Sequence, residues 1–208
     1  MTEKSISNAI NQNRLWERHM ELAKIGATLK GGVNREAFTK EEIQARKLLA
    51  KWTKNRGFSC SIDPIGNLFF RREGKDPNAD PVVTGSHIDS QPTGGKFDGA
   101  YGVLAGLEVL ESAEDIGVET NRPLEFVAWT NEEGGRFQPA TMGSGVYVGA
   151  MDFDQMLDVS DKNGVKVGDV LPEALNAIPG ANKRNFGSPM AAYIEAHIEQ
   201  GPILEKQD

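Results

Sequence analysis

Apolar positions at residues 12–25 (Leu15, Trp16, Met20, Leu22, Ala23 and Ile25) recur mostly three or four apart before Gly26, which predicts an amphipathic helix with a glycine stop. A second helix is expected through Leu48, Leu49 and Trp52 up to Gly57, opened by Thr39 with Glu42 as its capping-box partner. The pattern then changes period. Residues 59–63 and 67–72, on either side of Pro64-Ile65-Gly66, predict two strands joined by a short turn. Residues 81–84 form a short β-type run, residues 99–113 a mostly apolar helix, and residues 123–130 a second buried strand. Residues 141–178 predict short helices with turns, and residues 190–199 a last partly β-branched, aromatic segment.

Alternating strands and helices indicate an α/β fold, and the early hairpin implies a mixed rather than wholly parallel sheet. Three of the strand-like runs empty into polar, glycine-containing loops: 85–102, 131–135 and 200–202. In open α/β sheets, ligands bind in the crevice beyond the carboxyl ends of the strands, so these loops are the candidate site.

Composition narrows the chemistry. The 208 residues carry 30 acidic and 23 Lys or Arg residues, a net charge of -7, with no basic cluster beyond Arg71-Arg72. That argues against nucleic acid or an anionic membrane as partner and leaves small substrates open. A single cysteine, Cys60, excludes an internal disulfide framework and fits a reducing compartment. With no apolar run of membrane-spanning length and no signal-peptide pattern, a cytoplasmic protein is expected.

The glycine-rich stretch Gly94-Gly95-Lys96-Phe97-Asp98-Gly99 fails both phosphate-binding spacings. Its lysine is not followed by Ser or Thr, and Asp98 would repel an anion. A metal site accounts for it better. His87, Asp98, Glu133 and His197 each lie near a strand end, and imidazole with carboxylate suits zinc, manganese or similar divalent ions. Asp98 could bridge two cations, and Glu132 and Glu133, being neighbours, can point apart, one toward metal and one toward substrate as a general base. Asp89, two residues after His87, suits a partner that fixes the imidazole tautomer. His19, inside the first helix, is expected to be exposed or capping.

Gly85-Ser86-His87-Ile88-Asp89-Ser90, Gly94-Gly95-Lys96-Phe97-Asp98-Gly99, Asn131-Glu132-Glu133-Gly134-Gly135-Arg136-Phe137 and Glu195-Ala196-His197-Ile198-Glu199-Gln200-Gly201-Pro202 resemble, in order, the motifs of the hydantoinase/carbamoylase amidases. That family includes N-carbamoyl-L-amino acid hydrolases, allantoate amidohydrolases and β-ureidopropionases, and is a branch of the dinuclear metallopeptidase superfamily. The resemblance implies a three-layer, zinc-exopeptidase-like catalytic domain holding two divalent ions, zinc or manganese, with cobalt or nickel also accepted. One ion would sit on His87, Asp98 and His197, the other on Asp98 and Glu133. Glu132 would be the general base, Asp89 the orienter of His87, and Gln200 a substrate contact. The implied reaction is hydrolysis of an amide or ureido C–N bond in a small N-carbamoyl amino acid or ureide such as allantoate. An aminoacylase or peptidase, or an inactive metal-binding fragment, are the alternatives. Family members are about twice as long and form homodimers. Residues 1–208 are therefore expected to be the N-terminal part of the catalytic domain, with the dimerisation domain, a further metal-binding histidine and a substrate-binding arginine lying outside this chain.

Overall fold

The computed structural model describes residues 5–207. After a short 3-10 turn, Ile6–Ala9, the helices are α1 (Gln12–Leu22), α2 (Lys40–Asn55), α3 (Asp98–Asp115), α4 (Met142–Tyr147), α5 (Phe153–Asp158) and α6 (Val167–Leu175). The strands are β1 (Ser59–Ile62), β2 (Leu68–Arg72), β3 (Val82–His87), β4 (Leu124–Trp129), β5 (Asn182–Lys183) and β6 (Ala192–Ile194). They form one sheet in the order β5-β1-β2-β4-β3-β6. The sheet is mixed, as the hairpin implied: β1 with β2 and β2 with β4 run antiparallel, whereas β4, β3 and β6 run parallel.

Side-chain alternation sends the sheet residues to two faces. Leu68 and Phe70 of β2, with Phe126 and Ala128 of β4, join α1, α2 and α3 through Leu22, Leu49, Trp52, Leu104 and Leu107. On the other face, Phe69, Val127 and Trp129 pack with Val83 and with Tyr147 of α4. Helices thus cover both faces, and the architecture is an α/β sandwich of three layers. A polar clamp reinforces the first face: Arg14 of α1 pairs with the buried Glu108 of α3 at 2.7 Å, and Arg18 with Glu111 at 2.6 Å.

Several predicted details are corrected. The Thr39 side chain caps α2 by accepting from the Glu42 N–H at 3.3 Å, but the Glu42 carboxylate does not close the box. It is buried and pairs with Arg46 at 2.5 Å, one turn along, because two buried charges must satisfy each other. Strand β3 runs on to His87, so the first three residues of the polar stretch are strand rather than loop. The last segment is strand only over Ala192–Ile194, at the sheet edge and exposed. His19 is buried at 4% exposure, its ring 5.6 Å from Phe97 and 6.0 Å from Tyr101, so it is neither exposed nor capping. Helix α1 packs along α3, and Phe97 and Tyr101 at the start of α3 enclose the imidazole.

Register places the site. His87 is opposite Trp129 and Thr84 is opposite Ile194, so three parallel strands deliver their following residues to the same edge of the sheet. Among the described residues, no helix is long and apolar enough to cross a membrane.

Candidate metal centre

His87 ends β3 at 1% exposure, and its position depends on the residue beneath it. A Cβ on Gly99 would lie 2.1 Å from His87 Cδ2, so only glycine lets the first turn of α3 approach the ring this closely. The residue before it, Asp98, opens α3 with φ 27°, a left-handed conformation costly for a non-glycine residue. That conformation aims its carboxylate at the imidazole edge, and the helix N-terminus favours the negative charge.

Among the described residues, His87, Asp98 and His197 each bring one ligand-type atom within 4.8 Å of the others. His197 Nε2 lies 3.3 Å from Asp98 Oδ1, and the two imidazoles stack at 5.8 Å. Backbone carbonyls settle both tautomers. His87 Nδ1 donates to Asp89 O at 2.9 Å and His197 Nδ1 donates to Ile198 O at 2.8 Å, which leaves both Nε2 lone pairs facing the carboxylates. Lone pairs opposed to carboxylate oxygens repel unless a proton or cation lies between them. This donor set therefore fits a divalent cation.

The second loop adds both glutamates. Asn131, at φ 49°, turns the chain just after β4, and its side-chain amide donates to Phe137 O at 2.9 Å. Glu132 Oε2 lies 3.3 Å from His87 Nε2. Glu133 points elsewhere: its Oε2 accepts from Gln91 Nε2 at 2.9 Å, while its Oε1 is buried with no partner. Glu133 is outside the three-residue group but close enough to Asp98 for the two to interact. Burial first, then the Asp98 carboxylate, raises its pKa. A buried, unpartnered carboxylate oxygen beside a second carboxylate is what a further cation would relieve.

Asp89 meets His87 with its main chain and the glutamate loop with its side chain. The partner of His87 Nδ1 is the Asp89 main-chain carbonyl; the Asp89 carboxylate stands farther off, at 3.6 Å. That carboxylate instead accepts the backbone N–H groups of Glu132 and Glu133, each at 3.2 Å, and so ties the glutamate loop to the histidine loop. It is fully enclosed, and burial pushes its pKa up to about 6. Burial opposes a charged His87, but Asp89, Glu132 and Asp98 outweigh it and the pKa of His87 is raised. Gln200 donates its side-chain amide to Asp98 Oδ1 at 2.6 Å, so it touches the centre of the site.

Two positioning residues escaped the sequence reading. Buried Arg35 donates its guanidinium to Ile88 O at 2.7 Å and its backbone N–H to Ser90 Oγ at 2.9 Å, and its carbonyl accepts from the Ser90 N–H, gripping the loop on both sides of Asp89. Nothing local in the sequence marks it. Asn131 could have been found, because asparagine is among the few non-glycine residues that take positive φ readily, and it stands between a strand and the glutamates.

The profile of the peptidase family M20/M25/M40 matches residues 83–208, the span that contains His87, Asp89, Asp98, Glu132, Glu133, His197 and Gln200. The chain belongs to that family. It is also similar to the N-carbamoyl-L-amino-acid amidohydrolase of Rhizobium meliloti, at 44% identity over 200 residues, covering 96% of this chain and 47% of that protein. The allantoate amidohydrolase of Bacillus subtilis is 34% identical over 201 residues, covering 97% of this chain and 47% of that one. A solved hydantoinase/carbamoylase family amidase from Burkholderia ambifaria superposes with a TM-score of 0.90 at 45% identity, over 98% of this chain and 49% of that chain. The chain spans about half the length of the curated relatives it matches. The resemblance read from the motifs and the α/β fold class are both borne out.

Proposed function

We propose that residues 1–208 are the N-terminal part of the catalytic domain of a metal-dependent amidohydrolase that cleaves a C–N bond in a small N-carbamoyl amino acid or a ureide such as allantoate. The observation that carries this reading is the face-to-face arrangement of two imidazole lone pairs and the Asp98 carboxylate, with Glu132 and Glu133 on the adjoining loop. His87, Asp98 and His197 would hold one divalent ion, and Asp98 with Glu133 would hold a second. Zinc and manganese suit these ligands best, and cobalt or nickel would be accepted. Bound there, such ions make a water acidic and polarise a carbonyl.

The chain's own residues do the rest. Glu132 stands beside His87 without being needed as a ligand, so it is free to take the proton of the attacking water and return it to the leaving nitrogen. Asp89 holds both glutamates in register through their backbone N–H groups. Gln200, whose amide donates to Asp98, would give its other amide hydrogen to a substrate oxygen. The names of the relatives favour a carbamoyl or ureide substrate, the single cysteine fits a reducing cytoplasm, and the family resemblance implies that the whole protein pairs as a homodimer.

Residues 1–208 alone are expected to bind metal without turnover, so the whole protein, purified and loaded with zinc or manganese, is tested on N-carbamoyl amino acids, allantoate, N-acyl amino acids and dipeptides. Hydrolysis of the first two is expected. Preference for acyl amino acids or dipeptides would assign an aminoacylase or peptidase instead, and metal binding with no turnover on any of them would assign a silent metal-binding module. Glu132→Gln is expected to lower turnover about 10²- to 10⁴-fold while leaving metal content unchanged. Activity close to wild type in that variant would remove Glu132 from the role of base.

A further inference from the structure

His197 reaches the site from the least supported part of the sheet. Strand β6 is three residues long, pairs only with β3, and its register ends at Ile194 opposite Thr84, so no ladder bond reaches His197. Between the strand and the histidine, one side chain makes the connection. The Glu195 carboxylate accepts from Ser86 Oγ at 2.5 Å through one oxygen and from the Tyr193 hydroxyl at 2.6 Å through the other. Tyr193 in turn accepts from Trp129 Nε1 at 2.8 Å. Ser86, fully buried, precedes His87, and Trp129 ends β4 just before the glutamate loop, so Glu195 is tied to both of the other strand ends that build the site. Beneath the same segment, a Cβ on Gly102 would lie 2.3 Å from Ala196 O, so this stretch of backbone rests directly on α3.

We infer that Glu195 is a positioning residue for His197: by bridging Ser86 and the Trp129–Tyr193 pair it sets how far the second imidazole stands from Asp98 and His87. This rests on the reading of His87, Asp98 and His197 as ligands of one ion. Hydrogen bonds to an ionised carboxylate are short and strong, and two of them from rigid neighbours fix an edge segment that its own strand cannot. Residues that orient metal ligands in this way typically change metal affinity 10- to 100-fold when removed.

The test is cobalt(II) affinity, followed by the visible spectrum of the bound ion, in wild type, E195A, E195Q, S86A, H197A and H197A/E195A. E195A is expected to bind cobalt about 10- to 100-fold more weakly, with a changed spectrum, and S86A by a smaller factor. E195Q is expected to recover most of the affinity, because its amide can still pair with both hydroxyls. In the H197A background, E195A is expected to cost nothing further. Wild-type affinity in E195A alongside weakened H197A would overturn the inference and leave the ligand reading standing. An equal loss from E195A with and without His197 would also overturn it, assigning Glu195 to general stability. If H197A itself binds cobalt as wild type does, the ligand reading fails and the inference fails with it.

Discussion

The two regions that supply the metal-binding group are built differently. His87 and Asp98 sit on a buried shelf made by the ends of β3 and β4 and the first turn of α3, at 1% and 6% exposure, with backbone packed against side chain at Gly99. His197, its own side chain 33% exposed, hangs from an exposed edge strap that touches α3 through backbone at Gly102 and is otherwise held by hydrogen bonds. Packing contacts are numerous and redundant, so a shelf changes as a unit when it is disturbed. A strap held by a few polar bonds yields by degrees, and each bond can be removed alone. Damage to the shelf should therefore abolish metal binding and lower stability together, whereas damage to the strap should weaken binding with little loss of stability.

The largest effect is expected at Gly99. Gly99→Ala drives a methyl group into the His87 ring and should remove cobalt binding while lowering stability by about 1–3 kcal/mol, as overpacking does, measured by titration and by urea unfolding. Unchanged binding would show that the shelf is softer than its packing implies. Asp89→Asn comes next. It takes away part of a carboxylate that accepts two backbone N–H groups, and it should cost about 1–3 kcal/mol and depress turnover through the displaced glutamate loop.

His19 provides a pH-resolved test of the shelf's flank. Burial lowers its pKa to about 4 from the ordinary 6.5, so between those values the unfolded chain holds a proton that the folded one rejects. Stability should fall as pH drops through that window, and His19→Leu should lack that loss. The difference between the two proteins is expected to change by on the order of 2 kcal/mol from pH 7 to pH 4. Asp89, with its pKa raised to about 6, acts in the opposite direction, so the comparison with the variant, not the wild-type curve alone, carries the result. The smallest effect is expected on the strap. Tyr193→Phe removes the hydroxyl that joins Trp129 to Glu195 and should weaken cobalt binding only a few-fold, with a stability change of about 1 kcal/mol.

The same contrast governs what the sequence made legible. Helix α3, the β1–β2 hairpin and β4 were readable because their apolar positions keep a helical or strand spacing and face a core on at least one side. Strand β6 was overextended because its alternation lies at an open edge where burial does not enforce it. The site residues were legible as residue types at strand ends, while their partners were not. Glu42 sits where a capping box wants it, yet the buried Arg46 one turn later claims its carboxylate. Asp89 was expected to hold His87 with its side chain, and only the backbone course of residues 87–89 shows that the carbonyl does so. Arg35 and Glu195 act through residues 53 and 109 positions away, distances over which local pattern carries no information.

The central claim is that His87, Asp98 and His197 share one divalent cation. It is tested most directly by anomalous diffraction at the zinc edge from crystals of the protein grown with zinc. A peak is predicted within about 2.0–2.2 Å of His87 Nε2, an Asp98 carboxylate oxygen and His197 Nε2 together. No peak among these atoms, or zinc bound only elsewhere on the chain, would contradict it.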